Sequence, residues 1–288
     1  MTPSIETACY SEKALFNRTE RLVGAAAMER LAAARVVVLG VGGVGSWCAE
    51  SLVRTGVGHV SLVDSDRVCV TNVNRQLQAT CETIGRVKVD ALRERLLEIA
   101  PGANIEAHQK IYEDATAGEF DFNAYDAVVD AIDSISNKVL LLHRASQSRA
   151  AVFCSLGAAC KLDPTRIRTA EFMGVQGCPL GAKLRKQMRR TGQLPVKPVL
   201  TVYSDEVREN AGGAPACGST QCLCPQGTVD AGDPALANHE WCSQKAIING
   251  SVAHITGIFG LTLAGLVVQE IVGEGRLQTT DSRPQTAF

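Results

Sequence analysis

A glycine-rich segment, Gly40-Val-Gly-Gly-Val-Gly45, lies between an aliphatic run and an amphipathic stretch, and it limits what the chain can fold into. The aliphatic run at 35–40 predicts a buried strand that enters a tight turn. Residues 46–55 predict a helix that ends at Gly56, and residues 59–64 predict the next strand. A strand, a tight turn, a helix and a second strand within about thirty residues are typical of a parallel βαβ unit.

The same alternation continues to about residue 160. The aliphatic centre of the segment 125–130 is typical of a central strand in a parallel sheet. These patterns predict an α/β fold: a doubly wound, Rossmann-like, mostly parallel sheet with helices on both faces. We expect helices at 20–34, 83–99 and 134–149 and strands at 104–109, 125–130 and 151–156.

The composition changes after residue 160. We expect a strand at 165–171 and a basic helix at 180–190, and a loop at 210–238, where Gly, Pro, Ala and Cys are frequent. The apolar stretch 246–269 is long enough to cross a bilayer, but its glycines and polar residues favour one or two buried helices. The expected organisation is a nucleotide-binding core at 11–160, a continuation of the same domain at 161–275 with a mobile loop at 210–244, and a disordered tail at 276–288.

The glycine-rich segment and the end of the next strand predict a nucleotide site. Glycines let the backbone approach a phosphate, and the N-terminus of the following helix offers N–H groups and a positive dipole. Asp64 ends the next strand, where a carboxylate can accept hydrogen bonds from ribose hydroxyls. These features leave open whether the nucleotide is NAD or ATP.

The residues after Asp64 favour ATP. A triphosphate that is attacked at phosphorus needs Arg and Lys side chains to hold its oxygens and offset charge in the transition state. Asp133 follows the expected central strand, where a carboxylate can hold Mg²⁺ between phosphate oxygens. The polar residues that follow the strands are Asp66, Asn72, Arg75, Gln76, Lys88 and Asp133.

Charge and cysteine usage exclude two classes of protein. The net charge of −1 excludes a protein that coats nucleic acid by bulk electrostatics, so such binding needs a local basic patch. Eleven cysteines, an odd number, and an N-terminus without a basic start and apolar run predict reduced thiols in the cytoplasm. No Cys-x-x-Cys occurs in the sequence, and the spacing of Cys217, Cys222 and Cys224 argues against a zinc site.

A local basic patch is present on the helix expected at 180–190. Its cations have two interpretations, a solvated helix face or a surface that follows nucleic-acid phosphates beside the active site. They are Lys183, Arg185, Lys186, Arg189 and Arg190.

The glycine-rich segment and the polar residues that follow the strands resemble those of the ubiquitin-activating-enzyme-like adenylating family that includes MoeB and ThiF. The resemblance implies that Asp64 holds the ribose, and that Asp133 binds magnesium. It also implies a homodimer in which an arginine before the first strand, Arg18 or else Arg21, reaches the ATP site of the partner. The implied ATP-binding residues are Gly40, Gly42, Gly43, Gly45, Asp64, Asp66, Asn72, Arg75, Gln76, Lys88 and Asp133.

Within that family, the chain resembles the tRNA threonylcarbamoyladenosine dehydratases over nearly its whole length, least at 210–244. The resemblance implies ATP-dependent dehydration, by ring closure, of N6-threonylcarbamoyladenosine in tRNA through an acyl-adenylate. The implied partners are the modified tRNA, a second copy of the chain and a sulfur-transfer protein. The resemblance rests on the segments 21–24, 43–47, 70–76, 129–134, 182–185 and 202–206. The implied catalytic residues are Arg18, Arg21, Arg75, Lys88 and Asp133.

Three other functions stay open from the sequence. An adenylyltransferase that activates the C-terminal glycine of a sulfur-carrier or ubiquitin-like protein would use the same ATP residues. An NAD-dependent oxidoreductase would use the same glycine-rich loop. A non-catalytic scaffold would bind the nucleotide without turnover.

Overall fold

The computed structural model describes residues 11–212 and 249–273. The expected tail, nearly all of the expected mobile loop, and Cys217, Cys222 and Cys224 lie outside the described residues. Six cysteines lie within them, and all six are free thiols.

Seven strands form one sheet in the order β3-β2-β1-β4-β5-β7-β6. All neighbouring pairs are parallel except β6 and β7, which are antiparallel. The predicted α/β fold is confirmed, and β4 has the central position that its aliphatic sequence indicated. The strands are β1 (Arg35–Leu39), β2 (His59–Val63), β3 (Asn104–His108), β4 (Ala127–Asp130), β5 (Ala151–Ser155), β6 (Ile167–Glu171) and β7 (Leu200–Ser204).

Helices cover both faces of the sheet, as predicted. β1 separates two apolar cores, because Val36 and Val38 face one and Val37 and Leu39 face the other. The first core lies under α3, α4, α5 and α8, and the second lies under α6 and α7. The described helices are α1 (Glu12–Leu15), α2 (Asn17–Val23), α3 (Ala25–Ala33), α4 (Gly45–Thr55), α5 (Lys88–Ile99), α6 (Ile135–Ser146), α7 (Pro179–Thr191) and α8 (Ala253–Val272).

The helix expected at 20–34 is wrong as a single element. Gly24 separates α2 from α3, and its φ of +82° lies in the left-handed region that an α-helix excludes. The alanine-rich composition on both sides of Gly24 indicated a helix correctly but hid the break.

The other predicted elements between residues 35 and 190 begin and end within three residues of the observed ones, with one exception. The helix expected at 83–99 begins only at Lys88. The Thr83 hydroxyl accepts a hydrogen bond from the Thr80 N–H at 2.8 Å and donates one to the Gln78 carbonyl at 2.7 Å. These local bonds stabilise a turn where the pattern predicted a first helical turn.

Strand β7 had no counterpart in the sequence analysis. It has five residues and pairs with β5 on one side and β6 on the other. Thr201, Val202 and Tyr203 are buried there. Their burial depends on strands that are distant in sequence, which a local pattern does not report.

Helix α8 explains the apolar stretch near the end of the chain. Of the described helices, it is the one long and apolar enough to cross a membrane, with a mean hydropathy of 1.8. It packs along α4 and α3 and over β5 and β7, and its residues Ile255, Phe259 and Leu263 are fully buried. The prediction of buried helical structure is therefore confirmed, as one helix.

We expect Gly260→Ala to lower the free energy of unfolding by about 1–3 kcal/mol, because overpacking forces α8 away from α4. A Cβ at Gly260 would lie 2.4 Å from the Val44 carbonyl oxygen and 2.7 Å from the Trp47 Cβ. Gly265 on the same helix is exposed and has no atom within 4 Å of such a Cβ, so Gly265→Ala is the control and should not lower stability. Thermal melts that gave the two variants the same midpoint would contradict this packing argument.

Candidate functional site

The glycine-rich loop joins the carboxyl end of β1 to the N-terminus of α4, at the predicted position. Gly40 has a φ of +87°, and a Cβ there would lie 2.7 Å from the Ala131 carbonyl oxygen, just beyond β4. A Cβ at Gly45 would lie 1.8 Å from the Gly40 carbonyl oxygen. Glycine is therefore required at both positions, and the loop is packed directly against the turn that follows β4.

The first turns of α8 pack against the outer side of this loop. A Cβ at Gly43 would lie 3.1 Å from the Thr256 methyl group. The Trp47 indole N–H donates to the Arg75 carbonyl at 3.1 Å, and the Asn74 side-chain amide donates to the Ser251 carbonyl at 2.8 Å. The sequence analysis did not place α8 at the site, and Thr256, one of several small polar residues among its glycines and apolar residues, is a weak local signal for it.

Asp64 connects the end of β2 to the glycine-rich loop. Its Oδ2 accepts the Val41 N–H at 2.8 Å, and its Oδ1 accepts the Asp66 N–H at 2.9 Å. Burial raises the pKa of this carboxyl, and nearby Lys88 opposes the rise. Asp64 thus holds the backbone of the loop, and its predicted contact with a ribose stays a prediction.

Lys88 places a cation beside the loop at the start of α5. Its side chain is 6% exposed, and its Nζ lies 2.6 Å from Asp66 Oδ2. Burial alone would lower the pKa of Lys88, but Asp64 and Asp66 outweigh burial, so the pKa is raised and the lysine stays charged. The sequence analysis identified Asp66 and Lys88 as two separate candidates, whereas the structure shows them as an ion pair.

The polar segment after β2 forms a second wall of the site. Asn72 is buried, and its Oδ1 accepts the Cys69 N–H at 3.0 Å, so this side chain also shapes the segment. Gln76 is buried below Gly42, with its Nε2 3.8 Å from where a Cβ of Gly42 would lie. The partly exposed Arg75 donates from Nη1 to the Thr71 carbonyl at 2.7 Å.

Asp133 lies exposed in the turn between β4 and α6, on the loop side of the sheet. Its charge contributes to the raised pKa of Lys88, which places the two side chains in one electrostatic environment. Asp130 and Lys138 form a buried ion pair under this turn, with Asp130 Oδ1 2.8 Å from Lys138 Nζ. The sequence analysis missed this pair, because a lysine on an amphipathic helix is ordinarily exposed.

Arg18 and Arg21 lie on α2, away from the loop. Phe16, which precedes α2, packs against Gly56 at the C-terminal end of α4, whereas the loop lies at the N-terminal end. The 11 residues of α4 separate the two ends by roughly 16 Å. Both arginines are exposed, and this chain does not bring them together with its other site residues.

The basic helix is α7, and its buried side consists of Gly181, Leu184 and Met188. Arg185 is partly buried and donates from Nη1 to the Phe172 carbonyl at 3.1 Å, so it also has a structural contact. Leu180 packs over Gly157, just beyond β5, so α7 begins at the carboxyl edge of the sheet and leads away from it. The exposed cations on α7 are Lys183, Lys186, Arg189 and Arg190.

These elements meet at the carboxyl ends of β1, β2 and β4, where doubly wound sheets bind their ligands. A helix N-terminus, two cationic side chains, Arg75 and Lys88, and three carboxylates, Asp64, Asp66 and Asp133, lie at this edge of the sheet, with Lys88 paired to Asp66. The helix N-terminus and the cations suit phosphates, and the carboxylates suit hydroxyl groups or a divalent cation. The geometry is that of a nucleotide site.

A family model described as the ThiF family matches residues 16–286. The chain belongs to the ThiF family. The ThiF-family match covers the glycine-rich loop, the polar segment, α7 and α8.

Similar proteins indicate a branch of the ThiF family that this chain resembles. A tRNA threonylcarbamoyladenosine dehydratase of Bacillus subtilis (strain 168) is 39% identical over 191 residues, which are 66% of this chain and 74% of the relative. The enzyme of the same name from Haemophilus influenzae is 32% identical and covers 89% of this chain and 93% of the relative. The crystal structure of Escherichia coli tRNA N6-threonylcarbamoyladenosine dehydratase, TcdA, in complex with ATP has a TM-score of 0.72 at 26% identity, over 91% of this chain and 95% of that chain.

Other ThiF-type relatives match over less of the chain. Proteins named as sulfur carrier protein adenylyltransferase or as adenylyltransferase and sulfurtransferase match over less than half of it. The Haemophilus influenzae dehydratase therefore matches nearly twice as much of this chain as any of these three adenylyltransferases.

We expect Lys88→Gln to lower thermal stability by an amount that grows as pH rises. Without the ammonium group, the already raised pKa of the Asp64 carboxyl rises further. A carboxyl with a folded pKa above its unfolded pKa contributes stability in acid, and that stability is lost as pH rises through the folded pKa. The melting temperatures of wild type and variant should therefore differ less at about pH 5 than at about pH 8.

The control for this measurement is Lys183→Gln, which removes an exposed ammonium group on α7. Its melting temperature should follow that of the wild type at every pH. If the loss of melting temperature in Lys88→Gln were the same at every pH, the interaction of Lys88 with Asp64 and Asp66 would not be its cause.

Proposed function

We propose that this chain is an ATP-dependent dehydratase that cyclises N6-threonylcarbamoyladenosine in tRNA. The observation that carries the proposal is the similarity, over almost the whole chain, to enzymes with this name. The crystal structure of one of them contains ATP, and the same fold here places a glycine-rich loop, Arg75 and Lys88 at one edge of the sheet.

The first chemical step is activation of the threonyl carboxylate. A carboxylate oxygen attacks the α-phosphorus of ATP, the bond to the β-phosphate oxygen breaks, and pyrophosphate leaves, which gives an acyl-adenylate. Arg75 and Lys88 offset negative charge on the phosphates as it develops, and the N-terminus of α4 adds N–H donors. Asp66 keeps Lys88 charged and fixes its ammonium group.

Asp133 is the residue that fits a magnesium ion. Mg²⁺ in nucleotide enzymes is typically held by one or two carboxylates together with phosphate oxygens and water. Asp133 is exposed at the end of β4, in the same electrostatic environment as Lys88, and so meets that requirement. When bound, magnesium neutralises phosphate charge at this position.

The second step needs no protein nucleophile. An atom of the carbamoyl group of the same substrate forms a bond to the activated carbonyl carbon, the bond from that carbon to the phosphate oxygen breaks, and AMP and the carbamoyl proton leave to solvent. The net loss from the nucleoside is one water molecule. Because the reacting groups belong to one molecule, high effective molarity replaces a thioester intermediate. Cys48 and Cys154 are buried and their thiol pKa values are raised, which makes them poor nucleophiles.

Arg18 and Arg21 fit a role between two copies of the chain. They are exposed at the end of α4 that is remote from the loop, so neither reaches the site of its own chain. The neighbouring Leu22 is also exposed on α2, at 85%, and a partner surface would cover it. We therefore propose a homodimer in which α2 faces the ATP site of the other copy.

The tRNA is proposed to bind along α7. Lys183, Lys186 and Arg190 follow one another at helical spacing, so their charges form one exposed stripe. The stripe begins at the carboxyl edge of the sheet and extends along a helix of about 20 Å. A tRNA backbone on this stripe would have its modified base near the start of α7, close to the site. We place this activity in the cytoplasm, and a sulfur-transfer partner stays a prediction.

The experiment that tests the activity is mass spectrometry of nucleosides after tRNA carrying threonylcarbamoyladenosine is incubated with protein, ATP and Mg²⁺. We expect the nucleoside to lose one water. Arg75→Ala should reduce the rate by about 100-fold or more at unchanged melting temperature, because a preorganised charge at the phosphates is removed.

The result that would overturn the assignment is unchanged tRNA together with pyrophosphate exchange that depends on a Gly-Gly-ended carrier protein. That outcome would establish the adenylyltransferase alternative. Near-wild-type turnover by Arg75→Ala would remove Arg75 from the mechanism.

We expect Lys183→Gln/Lys186→Gln to raise the KM for tRNA about 3- to 10-fold and to weaken its salt dependence, with kcat little changed. The matched control, Arg93→Gln/Lys110→Gln, removes two exposed charges near the β3 edge and should leave KM unchanged. Steady-state kinetics at several salt concentrations provide the measurement. Equal effects of the two double variants would contradict a specific tRNA surface on α7.

A further inference from the structure

The ion pair of Asp130 and Lys138 is buried beneath the candidate site without being part of it. The side chains are 0% and 1% exposed, and Lys138 Nζ lies 2.8 Å from Asp130 Oδ1. Charge pairs of this kind gain little stability over apolar residues of the same size, because both ions lose their hydration. The pair therefore needs an explanation other than stability.

The pair holds the turn that presents Asp133. Lys138 Nζ donates a second hydrogen bond to the Ile132 carbonyl at 2.9 Å, and Asp130 Oδ1 accepts the Ile132 N–H at 3.1 Å. Both backbone polar groups of Ile132, the residue directly before Asp133, are thus fixed by these two buried side chains. Lys138 reaches them from the first turns of α6, so the pair also joins α6 to the end of β4.

The same turn supports the glycine-rich loop. The Ala131 N–H donates to the Leu39 carbonyl at 2.8 Å, and the Ala131 carbonyl is the atom that a Cβ at Gly40 would approach to 2.7 Å. A shift of residues 131–133 would therefore be transmitted to the loop as well as to Asp133. The buried pair lies where it can fix both sides of the nucleotide site.

We propose that Lys138, paired with Asp130, is a positioning residue that fixes Asp133 and the glycine-rich loop for binding of the metal–nucleotide complex. Lys138 is too deeply buried to touch a substrate, so it acts on Asp133 through the backbone of Ile132, and its charge also attracts the Asp133 carboxylate. The proposal rests on the proposed nucleotide site, and extends the argument to a residue outside it.

The test removes both charges at similar volume with Asp130→Asn/Lys138→Met. The amide at position 130 still accepts the Ile132 N–H, whereas the donor to the Ile132 carbonyl is lost. We expect a modestly lower melting temperature, because the Ile132 carbonyl loses its donor, and a Mg²⁺ requirement for ATP binding that is raised about 10- to 100-fold, measured by calorimetry. The kcat for tRNA dehydration should fall in the same range, with a smaller change in the KM for tRNA.

Glu50→Gln/Arg95→Met is the control; it removes a less buried pair, in which Arg95 is 42% exposed and Glu50 also pairs with Arg54 at 2.7 Å. Glu50 is also buried and ion-paired, at 2.6 Å from Arg95, but this pair joins α4 to α5 and does not touch the turn before Asp133. It should leave the Mg²⁺ requirement unchanged. Equal shifts in the two double variants would overturn the positioning role.

A second comparison uses Asp133→Asn, an exposed change that leaves the core intact. If Lys138 acts through Asp133, loss of the buried pair should cost little additional Mg²⁺ affinity in the Asp133→Asn background. Full additivity of the two losses would contradict the proposal. If the double variant does not fold, Asp130→Leu/Lys138→Met, which leaves neither a buried charge nor a buried amide, replaces it. A wild-type Mg²⁺ requirement in that variant would also contradict the proposal.

The binding measurement tests this inference, and the turnover measurement tests the proposed function. The calorimetric measurement needs only ATP and Mg²⁺, so it judges the positioning role whatever the acceptor is. Absence of tRNA turnover in the wild type with intact ATP binding would reject the dehydratase activity. The Mg²⁺ titration of ATP binding would still test the positioning role of Lys138 in that case.

Discussion

The close contact between the glycine-rich loop and the turn after β4 is the constraint on which the rest of the site depends. Gly40 lies against the backbone of Ala131, and Gly45 lies against the carbonyl of Gly40, with no space for a side chain at either position. This contact fixes the direction in which α4 leaves β1, and it places the N–H groups of its first turn at the carboxyl edge of the sheet. Asp64 from β2 and Thr256 from α8 then pack against a loop that already has one conformation.

The parts of this arrangement that could be predicted from the sequence are those that local chemistry determines. Glycine spacing between a strand and a helix indicated the loop, the aliphatic centre of β4 indicated a central strand, and the position of Asp64 after β2 indicated a residue at the site. The contacts that could not be predicted join segments distant in the chain. Thr256 meets Gly43 only after α8 has packed on α4, and β7 is a strand only between β5 and β6.

The burial of two charged lysines also could not be predicted from the sequence. Lys88 begins α5 and Lys138 lies in the first turn of α6, and both side chains are almost fully buried. In the sequence, each resembles the exposed lysines of α7. The difference is made by acidic residues at strand ends, Asp66 for Lys88 and Asp130 for Lys138, which compensate the ammonium groups. A buried lysine can therefore be recognised only when the strand order is known and shows which carboxylate lies next to it.

The three groups of cations accordingly differ in what they can do. A lysine that is held by a carboxylate has a fixed position and loses little entropy when a phosphate approaches, which suits transition-state stabilisation. The exposed cations of α7 are solvated, which suits a long anionic backbone without a defined register. Arg18 and Arg21 have neither a carboxylate partner at the site nor a path to it along their own chain, because α4 keeps its two ends roughly 16 Å apart. Because α2 lies at the end of α4 that is remote from the loop, Arg18 and Arg21 are kept out of the site of their own chain. The same position would let them enter the site of a second copy if α2 packed on it.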